Sequence, residues 1–389
     1  MSDRVVRRDL NLLAAGLALS TAGDSAALVA LLLRLQPHGS GWVAGLLAAE
    51  LIPYVALAPL TGRVVDRLET RSVLLVALAG QGALCVPLAL VDALWATVAL
   101  FAGVTALSAF VRPATSALVP AITGEGGAQR GYSRLATGTG LGWIAGPAAG
   151  GLLTGAFGAT TAILADAVTF ALLTLACSAV RARRHPAAAP EDGGTARGGL
   201  RLVLGDPLLR TALLGSAVAV GSGVIDNVAA PFRFVGQLGA SDSGYGLYLT
   251  LWGAGALAGA QLVPRIRLSS GALLALGNLL TGAGIAGIGF APGLVLAYVA
   301  STAGGVGNGI ANVSQSALIS TRTPAAQHGR AFAASGAVLQ TAIGVGTAAG
   351  APLVALLQAD GAMLWAGLLT CASSLVALLL TGRSRPPAR

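Results

Sequence analysis

The chain has 389 residues, of which 55% are hydrophobic and 10% charged, with a formal charge of +9 and a mean hydropathy of +0.77. Apolar runs of about 20 residues, enough to cross a ~30 Å hydrocarbon core as helix, recur along its whole length and exclude an ordinary soluble domain. The basic excess does not indicate nucleic acid: all 24 basic residues are Arg, and they do not interleave with aromatic residues on one soluble face.

The predicted spans are 10–34, 41–64, 72–92, 95–121, 130–156 and 158–180, then 207–235, 243–264, 270–290, 293–321, 328–357 and 360–382. Arg clusters mark alternate gaps: Arg4, Arg7 and Arg8; Arg63, Arg67 and Arg71; Arg130 and Arg134; Arg181 to Arg210; Arg265 and Arg267; Arg322 and Arg330; Arg383 to Arg389. Arg34 and Arg233 are the exceptions. This positive-inside pattern predicts both termini in the cytoplasm of a multi-pass cell-membrane protein. Arg without Lys, beside heavy Ala and Gly, points to GC-rich codons and a bacterial source.

Span 1 holds Asp24, in LSTAGDSAALV. Its Arg-flanked start mimics a signal peptide, but the apolar run continues to Leu33 and further spans follow, so an uncleaved helix is predicted. Span 2 carries Glu50 at similar depth and ends in TGRVVDRLETR. There Gly62 allows close helix approach, while Asp66, Arg67 and Arg71 can meet charges or a helix terminus; an ordinary cytoplasmic loop reads the same way. Span 4 contains FVRPATSALVP, which puts Arg112 inside the membrane, where a cation needs a partner or water. Span 5 contains GWIAGPAAGG: Gly142, Gly146 and Gly150 make one smooth packing face, and Pro147 removes a backbone donor. Span 6 holds Asp166.

The gap after span 6, RARRHPAAAPEDGGTARGGLRLVLGDPLLR, reads as a cytoplasmic linker with a short amphipathic helix at GLRLVL. Span 7 holds Asp226 and Asn227, span 8 Trp252, and span 10 Asn308, Asn312 and Gln315. Trp42, Trp95 and Trp365 fall at external span ends, as an aromatic belt does. Trp143 and Trp252 lie mid-span, where they either line an apolar pocket or pack.

An offset of about 200 residues relates ATSALV to VSQSALI, GWIAGPAAGG to GVGTAAGAP, and Asp24 to Asp226. The expected organisation is therefore an N-terminal six-helix bundle (1–180), a linker (181–206) and a C-terminal six-helix bundle (207–389). Such parallel repeats place substrate near the bilayer midplane. Nucleophile-elbow, zinc-protease and phosphate-loop signatures are absent, so neither an enzyme nor an ATP-driven carrier is expected. Cys85, Cys177 and Cys371 are unpaired in spacing, and His38, His185 and His328 have no metal-ligand pattern, so no metal or other cofactor is expected.

TGRVVDRLETR resembles the loop motif Gly-x-x-x-Asp-Arg-x-Gly-Arg-Arg/Lys of the Major Facilitator Superfamily, with Gly62, Asp66, Arg67 and Arg71 at matching positions and Glu69 and Thr70 departing. The resemblance implies a conformational latch for Asp66, Arg67 and Arg71. GWIAGPAAGG is similar to the antiporter motif of that superfamily's drug:proton exporters through Gly142, Gly146, Pro147, Gly150 and Gly151, with Ser133 in place of an earlier Gly. RPATSALVP, GNGIANVSQSALI and HGRAFA resemble the macrolide and siderophore exporter branch. These likenesses imply an all-α membrane protein of twelve helices in two pseudo-symmetric bundles. They also imply efflux of a drug-like amphipathic molecule, driven by the proton gradient and by rocking of the bundles.

Within that frame a mid-membrane carboxylate must pair, face water or carry a proton. Asp24, Glu50, Arg112, Asp226, Asn227, Asn312, Trp143 and Trp252 are the candidates for proton coupling and the substrate cavity. Asp24 is either the proton's binding place or the fixed partner of Arg112. Asp166 is assigned a static role, because the sixth helix is peripheral in the superfamily. The expected partners are the lipid bilayer, protons and a small amphipathic substrate, with the carrier a monomer. A metabolite importer or uniporter of the same fold is the alternative reading, and a membrane receptor or intramembrane enzyme a remote one.

Overall fold

The computed structural model describes residues 3–124, 127–182, 196–324 and 327–382. Every regular element among them is helical. The order is α1 (Asp3–Leu35), α2 (Ser40–Arg67), α3 (Thr70–Leu90), α4 (Leu94–Thr123), α5 (Ala128–Phe157), α6 (Ala159–Ala179) and α7 (Ala196–Gly205). There follow α8 (Pro207–Gly223), α9 (Ile225–Pro231), α10 (Asp242–Leu262), α11 (Ser270–Phe290), α12 (Leu294–Arg322) and α13 (His328–Gly382).

Among the described residues, ten segments are long and apolar enough to cross a membrane. One of them, His328–Leu380, is two crossings, because Gln358 (φ 61°) interrupts the helix. α5 lies outside the ten because its glycines dilute its hydropathy, yet at 30 residues it matches α4 in length. With it the described chain makes the twelve crossings expected. In hydrocarbon only intra-segment hydrogen bonding satisfies the backbone, which is why the sequence resolves into helices separated by tight turns at Gly39, Gly158 and Gly239, all at positive φ.

Two departures from the expected spans have physical causes. The seventh is not one helix: α8 ends at Gly223, α9 resumes at Ile225, and a π-helical turn runs over Phe232–Gln237 beyond Pro231, which cannot donate to the ladder. The short amphipathic element extends over Ala196–Gly205 and buries Val203 with Leu209, Leu213 and Ala331. Linker residues 183–195 lie outside the described residues. α8 then starts from Asp206, whose Oδ1 accepts from the backbone N–H of Leu208 and Leu209 at 2.8 and 2.9 Å. Pro207 at its first position and Arg322, 3.6 Å from the Asp206 carboxylate, complete this start.

The described residues form two compact units. The first comprises α1–α6 with Ser241–Thr250; in it α1 packs against α5 and α6, and α3 against α4 and α6. The second comprises α7–α9, α10 from Leu251 onward, and α11–α13; in it α11 packs against α12 and α13, and α8 against α13.

The two Arg residues that break the charge pattern do the same job in each unit. Arg34 donates to the carbonyls of Leu88, at 3.4 Å, and Val91, capping α3, and pairs with Asp92 at 3.3 Å. Arg233 donates to Ile288 at 3.1 Å and Ala291 at 2.5 Å, capping α11, and to Gln237 Oε1 at 3.0 Å. A guanidinium on the last carbonyls of a helix satisfies acceptors that the bilayer cannot. Arg233 is 8% exposed. Arg233→Ala should therefore lower stability by about 1.5–3 kcal/mol, and Arg34→Ala by less, read as thermal unfolding of the purified protein in detergent.

Candidate functional site

The first unit concentrates three carboxylates. Asp24 is exposed on α1, Glu50 is half-buried on α2, and Asp166 is buried on α6 at 3% exposure. Asp24 lies within Coulombic reach of Asp166 and, more weakly, of Glu50. Among the described residues none of the three forms an ion pair. Arg112 is exposed on α4 and is not joined to Asp24: it makes no hydrogen bond or ion pair among the described residues. The charged neighbours of Asp24 are carboxylates, not the guanidinium that a fixed pair requires.

Two flanking helices hold α1 in place. On one side α5 lays its glycine row on an alanine row. A Cβ added at Gly138, Gly142, Gly146 or Gly150 would lie 2.6–2.7 Å from the backbone of Ala14, Ala18, Ala22 or Ala26 respectively. Both rows recur every four residues, so the two backbones touch over three turns, flanked by Thr21 Cβ and Ser25 Cβ, 2.8 and 2.6 Å from a Cβ added at Gly142 and Gly146. Pro147 is buried in the same helix. Gly151 faces another way, where an added Cβ would lie 3.0 Å from the Cα of Gly246 in the Ser241–Thr250 segment. On the other side of α1, Gly23 meets Asp166 and Thr169 of α6. Thr169 Oγ1 donates to Asp166 Oδ1 at 3.0 Å, and Cys85 Sγ from α3 approaches Asp166 Oδ2 at 3.9 Å.

The remaining predicted residues are dispersed. Trp143 is 58% exposed on α5. Trp252 packs inside the second unit: a Cβ at Gly304 would lie 2.7 Å from its ring. Asp226 is buried and Asn227 exposed at the start of α9. Asn312 Nδ2 donates to Asn308 Oδ1 at 3.0 Å along an exposed face of α12. In the loop motif, Gly62 and Asp66 lie on α2 with their side chains outside the described residues, and Arg67 is exposed. Arg71 donates through Nε to the Cys177 carbonyl at 3.2 Å and through its terminal nitrogen to that of Ser178, capping α6.

Sequence reasoning assigned Asp166 a static role and missed the seat built around it and the seam between α1 and α5. The available signals were Thr169 one turn beyond Asp166, and the spacing of Ala14, Ala18, Ala22 and Ala26, which mirrors the α5 glycines.

The family model described as Major Facilitator Superfamily matches residues 13–267. An uncharacterized MFS-type transporter, YfiS of Bacillus subtilis (strain 168), is 25% identical over 388 residues, covering 96% of this chain and 93% of that protein. The crystal structure of the nucleoside transporter NupG superposes with a TM-score of 0.79 at 12% identity, covering 96% of this chain and 99% of its own. A bacterial homologue of the human lysosomal transporter Spinster, inward-facing and unoccupied, gives 0.73 at 13% identity, covering 100% of both chains.

Proposed function

The chain belongs to the Major Facilitator Superfamily, and from that premise we propose that it is a drug:proton antiporter-like exporter working by alternating access in a bacterial cytoplasmic membrane, with both termini inside. Its substrate is an amphipathic small molecule of the drug or natural-product kind, and its energy source is the proton gradient, with no other cofactor. One juxtaposition carries the reading: the helix that bears exposed Asp24 lies directly on the glycine row Gly142, Gly146 and Gly150 of the antiporter-like motif. A shift of α1 along that row moves the carboxylate, with only the small side chains of Thr21 and Ser25 having to pass the glycines. Protonation of Asp24 from outside releases the substrate, and deprotonation toward the cytoplasm resets the carrier. Glu50, at weaker Coulombic reach, adds to the bias against joint ionisation, so a proton and a cationic substrate compete for one charge.

The test begins with a drug-susceptibility screen in an efflux-deficient host, which supplies a substrate. Inverted membrane vesicles with an acidic interior should then accumulate that substrate, and its uptake should dissipate the pH gradient. Transport indifferent to any pH gradient would refute antiport and favour the uniporter reading of the same fold.

A further inference from the structure

We propose that Asp166 is the inner half of a proton-holding pair with Asp24: the buried carboxyl takes up the proton that the exposed one exchanges with water. This rests on the proton-coupled reading above and adds to it a residue that reading does not use.

The seat of Asp166 is built from three helices. From α6, Thr169 Oγ1 donates to Asp166 Oδ1 at 3.0 Å. From α3, the Cys85 thiol stands 3.9 Å from Oδ2. From α1 there is only Gly23, and the missing side chain is what leaves room: a Cβ there would collide with Asp166 Oδ1 and Thr169 Oγ1 and lie 2.9 Å from Thr169 Cγ2. The donors are a hydroxyl and a thiol, both neutral. The titratable groups facing the pair are Asp24 from α1, Glu50 from α2 and Cys85 from α3. The charged residues of α5 lie in its first turns, where Arg134 is occupied with Asn11 at 3.1 Å. Gly23 against Asp166 puts the Asp24 position one residue from the buried acid, and two carboxylates so placed with no cation beside them favour sharing a proton over joint ionisation. Passing that proton inward leaves Asp166 neutral and Asp24 anionic, ready to meet a cationic substrate; passing it back regenerates the acid that water can deprotonate.

The second unit shows that the helix crossing itself does not need a carboxylate. Where α8 meets α13, Ser222 Oγ and Thr370 Oγ1 share a hydrogen bond of 2.8 Å, and Thr370 also donates to the Ala219 carbonyl at 3.3 Å. By this contact Ser222 stands for Gly23 and Thr370 for Thr169, and the residues one turn before Thr370, Ala366 and Gly367, are both non-acidic. A neutral hydroxyl pair joins those helices, and Ala366 is 2% exposed. A static role as helix glue therefore leaves the acid at 166 unexplained, because burying one costs several kcal/mol that its counterpart avoids.

Infrared difference spectra of the purified carrier between acid and alkaline pH test this. In the wild type the protonated-carboxyl absorption should disappear on alkalinisation, and Asp166→Asn should remove a part of that change. Cys85→Ala, which keeps the acid but deletes its thiol neighbour, should shift the band. If Asp166→Asn does not fold, Cys85→Ala decides alone: a shifted band supports the pair and an unmoved band overturns it. An undiminished carboxyl signal in Asp166→Asn likewise overturns it, and leaves Asp24 as the proton site. The carrier reading fails separately, through wild-type vesicles that ignore a pH gradient.

Discussion

Asp24→Asn should abolish gradient-driven accumulation, by at least about tenfold, while leaving substrate binding measurable. The expectation follows from geometry. Asn keeps the volume and hydrogen-bonding reach of Asp, so α1 retains its contacts: Ala14, Ala18, Ala22 and Ala26 face α5, and Gly23 faces α6. Neither seam uses the Asp24 side chain, which is exposed. What disappears is a group able to alternate between neutral and anionic at an exposed position of α1. A carrier so altered still samples both states when substrate is present on both sides, so counterflow of labelled against unlabelled substrate should persist. Loss of both activities would mean that Asp24 contacts the substrate as well as the proton. Full retention of pH-dependent transport would remove it from the coupling mechanism. Glu50→Gln is the companion variant: half-buried and only weakly coupled to Asp24, Glu50 should affect the pH dependence more than the maximal rate.

The architecture was legible because hydrocarbon leaves the backbone few options: apolar length reports spans, and Arg placement alternates with them. The crossing that misled was the seventh, which breaks at Gly223 although its hydropathy is continuous. α5, rich in glycine and only modestly apolar, still fell where the sequence put it, over Ala128–Phe157. Arg34 and Arg233 looked like flaws in the pattern because charge counting ignores helix ends; their carbonyl partners on α3 and α11 explain them. In the site, the residue types were visible but their pairing was not. Asp24 and Arg112 suggested an ion pair by sign alone, whereas the fold sets Gly23, the neighbour of Asp24, against Asp166 on a helix that appeared peripheral. No local spacing encodes that contact. It depends on Gly23 being small enough for α6 to approach.

Gly146→Leu should disable the protein more thoroughly than any change to a charged residue, because it acts on the α1–α5 seam itself. A Cβ at Gly146 would lie 2.6 Å from both the Ala22 carbonyl oxygen and Ser25 Cβ, and the oxygen is backbone that cannot rotate away. To admit even a methyl group, α1 and α5 must separate, and the close contacts at Gly142 and Gly150 open with them. Overpacking of this kind costs about 1–3 kcal/mol or more, and here it is spread along a rigid pair of helices. The paired control is Gly140→Ala on the same helix, where nothing lies within 4 Å of the added carbon. Helix propensity alone then acts, and that variant should be neutral or more stable by up to about 1 kcal/mol. Ser25→Gly in the Gly146→Leu background relieves one of the two collisions and leaves the carbonyl, so it should not restore the wild-type melting temperature. Recovery by Ser25→Gly would place the constraint in side chains, and α1 would then not be gliding on a bare backbone. Melting curves in detergent, read beside vesicle transport for the four proteins, separate a seam that only stabilises from one along which α1 moves. In the first case transport follows the amount of folded protein; in the second, transport fails in whatever Gly146→Leu carrier remains folded.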